Sequence, residues 1–431
     1  MDPLLAAERG FSFADPLAIG LIFCGLAVFA AIGALSHEHE RAFSASIIYL
    51  GLGAAAAVVI ELAGIGWVDP LADEAVIERL AEFAVVIALF GTGLKLEDPF
   101  ARRSWTGVAR LLLIAMPLTI AAIALFGTQV MGLSLGAALV LGAILAPTDP
   151  VLAGDIGVGP PGDEEEHEPN ISITGEAGLN DGLAFPFLFL GLFVASEEGE
   201  GWVGEWLLAD VAYAIGAAVV IGAALGFGIA ALAVTLRDRD LLASAFDAWL
   251  AIPSALVIYG AAEVAGTLGF IAVFAGGVAF RHYEHGHEYN RRVHDGAEAV
   301  EKFGELAVVL LLGSMLTLAG LEAPGLSGWL LVPVLLVAIR PAAVAISLLR
   351  GRLPRQERAF VAWFGVRGIG SLYYAAVAVG AGVLGDAEME VVVWTAFACV
   401  VASIVIHGTT AGPVARRLLP PEAIDAGIAH R

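Results

Sequence analysis

The sequence predicts an all-helical polytopic membrane protein of thirteen transmembrane helices, built as two inverted-topology repeats with crossed broken helices. Three observations carry that expectation. The 431 residues are 59% hydrophobic and only 15% charged, against roughly 45–50% and 25% in soluble domains. The apolar residues gather in stretches of about 20, the length a helix needs to cross a bilayer. Two of these stretches, seven apart in order, are interrupted by helix-breaking residues. The same composition excludes a soluble enzyme, a secreted disulfide scaffold and a disordered chain. A net charge of −22 argues against a nucleic-acid partner.

The spans read in order as about residues 16–35, 44–67, 76–94, 105–127, 131–153, 171–195, 206–235, 241–262, 266–280, 302–320, 326–348, 358–383 and 389–413. The first follows the acidic, neutral start Met1-Asp2-Pro3 and has no small-residue cleavage site after it, so it reads as a retained span. The third is the least clean, with Glu78, Arg79 and Glu82 in its first turns. The ninth is short. The 52 glycines suit close helix packing and broken helices. Cys24 and Cys399 both lie inside spans and read as packing residues.

Thirteen spans place the C-terminal tail on the same side as the loop after span one. That side collects seventeen of the twenty-two Lys and Arg residues, among them Lys95, Arg237, Arg281, Arg291, Arg350 and Arg416. The opposite side holds Arg9 and Arg79, and Arg110, Arg340 and Arg367 lie within spans. The positive-inside rule therefore puts the C-terminus in the cytoplasm and the N-terminus outside. No loop is long enough for a soluble domain, so residues 1–431 read as one membrane domain. The acidic loops (Asp163 to Glu166, and Glu197-Glu198) read as solvated surface. The loop from Arg281 to Glu301, with His282, His285, His287 and His294, reads as a solvated cytoplasmic loop.

Charges deep in a span are costly and mark functional candidates. The deep set is Asp149, Glu176, Asp181, Asp247, Arg340 and Arg367. Glu61 and Arg110 are near span ends, where side chains snorkel. Asp181 is ten residues into span six, about 15 Å deep at 1.5 Å per residue. Arg367 is nine residues into span twelve, about 13–14 Å deep. Both are near the middle of a hydrocarbon core about 30 Å thick. Asp247 and Arg340 read as charges satisfied by polar neighbours, without an assigned role.

Span five carries Ala146-Pro147-Thr148-Asp149-Pro150. Each proline removes a backbone donor and clashes with the preceding turn, so the helix breaks there. Span twelve has a second weak point at Gly365-Val-Arg-Gly368-Ile-Gly370-Ser371. Irregular backbone at membrane depth is tolerated where it lines a cavity or is buried in protein. Two broken helices at matching positions of two halves point to a transporter site.

Thr148-Asp149-Pro150, the Asn180-Asp181 pair within Gly175-Glu-Ala-Gly-Leu-Asn-Asp-Gly182, and Phe364-Gly-Val-Arg-Gly-Ile-Gly-Ser371 together resemble the NhaP/NHE branch of the monovalent cation:proton antiporters. The likeness extends over nearly the whole chain. It implies exchange of a monovalent cation, Na+ first, for H+ in a cell (inner) membrane, with no cofactor. It implies that Asp181 binds either the cation or the proton, with Asp149 and Thr148 completing the cation site. Asn180 stands where the electrogenic branch has a second aspartate, which points to electroneutral exchange. Glu176 and Arg367 would form a buried ion pair. A homodimer is implied, with about residues 105–195 and 326–413 as the moving core and about 16–94 and 206–320 as the scaffold.

The sequence departs from that family's pattern twice. Ala177 stands where a serine is frequent, and Gly91, in Phe90-Gly-Thr-Gly-Leu94, stands where a glutamate is frequent. Both changes remove oxygen ligands, which leaves Na+, Li+ and K+ open. The alternatives are a K+/H+ antiporter and a proton-coupled symporter on the same fold. An intramembrane aspartyl protease is remote, because residues 178–181 read Gly-Leu-Asn-Asp instead of Gly-x-Gly-Asp.

Overall fold

A computed structural model of the chain describes residues 16–35, 44–96, 102–149, 168–196, 202–283, 289–351 and 353–419. Each of the thirteen apolar stretches contains helix, and no strand occurs among the described residues. The helices are α1 (Pro16–Leu35), α2 (Ala45–Ala63), α3 (Glu74–Lys95), α4 (Trp105–Met131), α5 (Leu135–Leu145), α6 (Glu168–Ala195) and α7 (Trp202–Asp238). They continue as α8 (Ala245–Val264), α9 (Gly269–Tyr283), α10 (Tyr289–Ser314), α11 (Gly325–Leu348), α12 (Arg355–Trp363), α13 (Ile369–Ala381) and α14 (Asp386–Leu418). Seven of them are by themselves long and apolar enough to cross a bilayer. Two that meet the site, α5 and α13, are shorter apolar helices: α5 ends at Leu145, and span twelve is divided between α12 and α13.

A molecule that lives in lipid turns apolar side chains outward, and this one does. Ile22, Leu26 and Phe29 on α1, Val220 and Leu232 on α7, and Leu113 and Leu125 on α4 are exposed. Inside, close packing depends on small residues, since the hydrophobic effect gives no drive between helices in lipid. At Gly226 of α7 a Cβ would collide with the Gly276 backbone of α9. Helix α9 in turn packs on α3, α2 on α10, and α5 on α6 and α13.

Helices α4 and α11 share a local device. In each, a wide π-helical turn, Leu111–Ala115 or Leu335–Ile339, is followed two residues later by a proline, Pro117 or Pro341. A proline has no N–H for the preceding turn, and the ladder widens to accommodate it. The recurrence in spans four and eleven, seven apart, matches the pairing of broken spans five and twelve. In α11 the wide turn immediately precedes Arg340, whose side chain is buried.

Candidate functional site

Span five stops being helical at Leu145, and Ala146 to Asp149 leave the helix. Span twelve stops at Trp363 and resumes at Ile369. The two unwound segments meet: the Asp149 amide donates to the Val366 carbonyl at 2.9 Å. A broken helix leaves donors free at one end and carbonyls free at the other, and here each broken helix satisfies the other. Arg367 Nε donates to the Leu145 carbonyl at 2.8 Å, and Ser371 Oγ donates to the Ile144 carbonyl at 2.7 Å. In the opposite sense, the Ile369 amide at the start of α13 donates to Asp149 Oδ2 at 2.6 Å. A carboxylate at a helix N-terminus and a guanidinium at a helix C-terminus both complement the helix dipoles.

Helix α6 delivers the rest of the site. Asn180 Nδ2 donates to Thr148 Oγ1 at 2.7 Å, while Asn180 Oδ1 has no hydrogen-bond partner among the described residues. Asp181 is 2% exposed, and its carboxylate is close enough to Asp149 for the two charges to interact. It rests against the first turn of α13, where a Cβ on Gly370 would strike it, so glycine is required for that approach. The Tyr374 hydroxyl donates to the Asp181 carbonyl and fixes the backbone beneath. Among the described residues no donor is bonded to the Asp181 carboxylate itself. Thr148, Asp149, Asn180 and Asp181 therefore do come together, all at 4% exposure or less.

The expected Glu176–Arg367 pair is corrected. Glu176 is held by Arg340, whose two terminal nitrogens donate to its two oxygens at 2.5 and 2.7 Å. Arg367 lies beside this pair, across Gly365. Its donors go to the Leu145 and Gly365 carbonyls, because the unwound segments leave those carbonyls unsatisfied within its reach. Arg340 was visible as a deep charge, but depth alone could not choose between two arginines at similar levels. Asp247, the other unassigned deep charge, bonds Arg237 at 2.9 and 3.0 Å, with Arg292 at 3.7 Å.

The expected solvated loop from Arg281 to Glu301 is also corrected. Helix α10 begins at Tyr289, and Asn290, His294, Ala297, Glu301 and Glu305 form a buried stripe along it. Spacings of three and four put these residues on one helical face, a signal present in the sequence and masked by the surrounding charges. His282 is exposed at the end of α9. Glu301 Oε2 lies 3.4 Å from where a Cβ on Gly91 would sit, so the space opened by the absent span-three side chain borders another carboxylate. Pro150, the acidic loops, His285 and His287 lie outside the described residues.

Two mutually capping broken helices beside buried carboxylates, in an all-helical apolar chain, make the fold of a secondary transporter. Residues 17–417 match the model of the sodium/hydrogen exchanger transmembrane family, and the chain belongs to that family. It is 27% identical over 345 residues to the K(+)/H(+) antiporter NhaP of Alkalimonas amylolytica, covering 79% of this chain and 57% of that one. It is 28% identical over 312 residues to the Na(+)/H(+) antiporter NhaP of Pseudomonas aeruginosa, covering 67% of each. The chain spans about half the length of the curated relatives it matches first. In fold it resembles the sodium proton antiporter MjNhaP1 of Methanocaldococcus jannaschii, with a TM-score of 0.72 at 19% identity, covering 94% of this chain and 99% of that one.

Proposed function

We propose that this chain exchanges a monovalent cation, Na+ foremost, for H+ across a cell membrane by alternating access, one for one and without a cofactor. The observation that carries this is Asp181: a buried carboxylate at the helix crossing, beside a second carboxylate and with no donor of its own. A hard cation takes oxygen ligands, and a carboxylate is the oxygen ligand that also accepts a proton. Asp149 and the hydrogen-bonded Thr148 and Asn180 offer further oxygens at the same crossing. The core, α4–α6 and α11–α14, moves against α1–α3 and α7–α10 in each subunit of a homodimer. The C-terminus lies in the cytoplasm, on the basic side. A K+/H+ exchanger is the second reading, left open by Ala177 and Gly91, which supply no oxygen. The name of the Alkalimonas relative favours it. In proteoliposomes holding a pH-sensitive dye, added NaCl should dissipate an imposed proton gradient more than KCl or LiCl. Dissipation by KCl alone selects the second reading, and none with any salt overturns both. Dissipation that depends on the anion marks a symporter.

One-for-one exchange follows from the count of carboxylates at the helix crossing that are free to change protonation. Asn180 cannot titrate, Asp149 is tied to the α13 amide, and Glu176 is tied to Arg340. Asp181 alone then takes a cation on one leg and a proton on the other, and the core carries equal charge both ways. Recording on a supported membrane should show no steady transport current during sodium-driven proton flux. A current that reverses with imposed potential would show that Asp149 carries a second proton.

A further inference from the structure

Glu301 on α10 is an ionisable side chain outside the crossing, and it is not accounted for by structural pairing. It is 3% exposed, and among the described residues it makes no hydrogen bond and no ion pair; its Oε2 is fully enclosed without a partner. An unpaired buried carboxylate is costly to keep. Other charges on the same helix are treated differently: Glu305, one turn on, accepts a hydrogen bond from Ser46 of α2. The charges that act on Glu301 come from three directions. Lys95 lies at the end of α3, Glu298 and Lys302 lie on its own helix, and Asp149 lies at the broken span. Lys95 is itself buried. From α8, Asp247 is engaged with Arg237 and Arg292.

The wall between Glu301 and the crossing is thin. Helix α3 separates them, and it presents Gly91 to α10, where a Cβ would lie 3.4 Å from Glu301 Oε2 and 3.2 Å from Ala297 Cβ. One residue on, Thr92 faces Gly178 of α6, where a Cβ would come within 3.1 Å of the Thr92 methyl. The basic residues Lys95, Arg281 and Arg291 mark this end of the bundle as the cytoplasmic one. Ionisable groups kept inside a membrane protein without a structural partner mark ion pathways.

We propose that Glu301 is a second ion-holding carboxylate, a station on the cytoplasmic approach that passes a monovalent cation or a proton to the Asp149–Asp181 site. This rests on the exchange proposed above. The scaffold helix α10 thus contributes an ion-holding group on the approach to a site built from the broken spans and α6. The station concentrates cations at the cytoplasmic mouth, so its loss affects apparent affinity from that side more than turnover.

The test uses the full chain in proteoliposomes, with Na+ or K+, whichever the wild type transports, supplied on the side of the basic loops. Glu301→Gln should raise the apparent KM for the cation about tenfold, equivalent to about 1.4 kcal/mol, with the maximal rate within about twofold of wild type. Glu301→Asp should stay near wild type. The double variant Gly91→Asp with Glu301→Ala moves the carboxylate to α3 while keeping it in the same space. It should recover most of the KM, which a merely structural Glu301 would not allow. If Glu301→Gln inserts poorly, the double variant decides: recovery supports the station, and lack of recovery overturns it. An unchanged KM in Glu301→Gln with wild-type exchange intact overturns this inference and leaves the exchange reading standing. Absence of exchange in the wild type overturns the exchange reading itself.

Discussion

Asp181→Asn should reduce cation-driven proton flux to the background of empty vesicles, while the protein folds, inserts and melts no lower than wild type. The amide keeps the size and one oxygen of the carboxylate but cannot take up a proton or neutralise a bound cation. The thermal half of the expectation has its own cause. An ionised Asp181 is buried and next to Asp149, an arrangement that both burial and the neighbouring carboxylate oppose, and functional sites commonly hold such destabilising arrangements. Removing one charge relieves the repulsion, so the melting temperature in detergent should hold or rise. The measurement pairs dye dequenching in proteoliposomes with a melting curve on the same preparation. Substantial sodium- or potassium-driven flux in the purified variant would remove Asp181 from the exchange.

Arg340→Ala should be the most destabilising single substitution among the deep charges, at roughly 3–5 kcal/mol, the cost of stranding one member of a buried ion pair. Glu176 is 2% exposed and both its oxygens are bonded to Arg340. Adding Glu176→Gln should return part of that loss, because the stranded charge is then gone. Arg367→Ala should also destabilise, through a different route. It leaves the Leu145 and Gly365 carbonyls without their guanidinium, at about 1–3 kcal/mol for each buried group left unsatisfied. Glu176→Gln should not rescue Arg367→Ala. The two double-mutant cycles, read by thermal denaturation in detergent, separate the assignments. Rescue of Arg367→Ala by Glu176→Gln, without rescue of Arg340→Ala, would restore the pairing first expected from the sequence.

The sequence by itself determined the properties that run along the chain. Apolar runs located the helices, because burying backbone in lipid requires uninterrupted helix and an apolar surface. Pro147 and the glycines around Arg367 located the breaks, because ring closure and missing side chains act on the residues next to them. Counting residues from the span ends placed Asp181 and Arg367 at one depth, since a helix converts residue number into height at a fixed rise. Asp149 and Asp181 stood out as deep charges for these reasons, while Thr148 and Asn180 were picked out by the resemblance of their motifs to a known family. Height is only one coordinate of three, and the other two are set by which helix faces pack together. Arg340 and Arg367 lie at similar heights, and only lateral packing gave Glu176 to Arg340 and the carbonyls of the broken helices to Arg367. Glu301 and His294 looked like loop residues beside Arg291, Arg292 and Asp295. Their burial was decided when α10 turned one of its faces against α2 and α3, a choice made by neighbours hundreds of residues away in the chain.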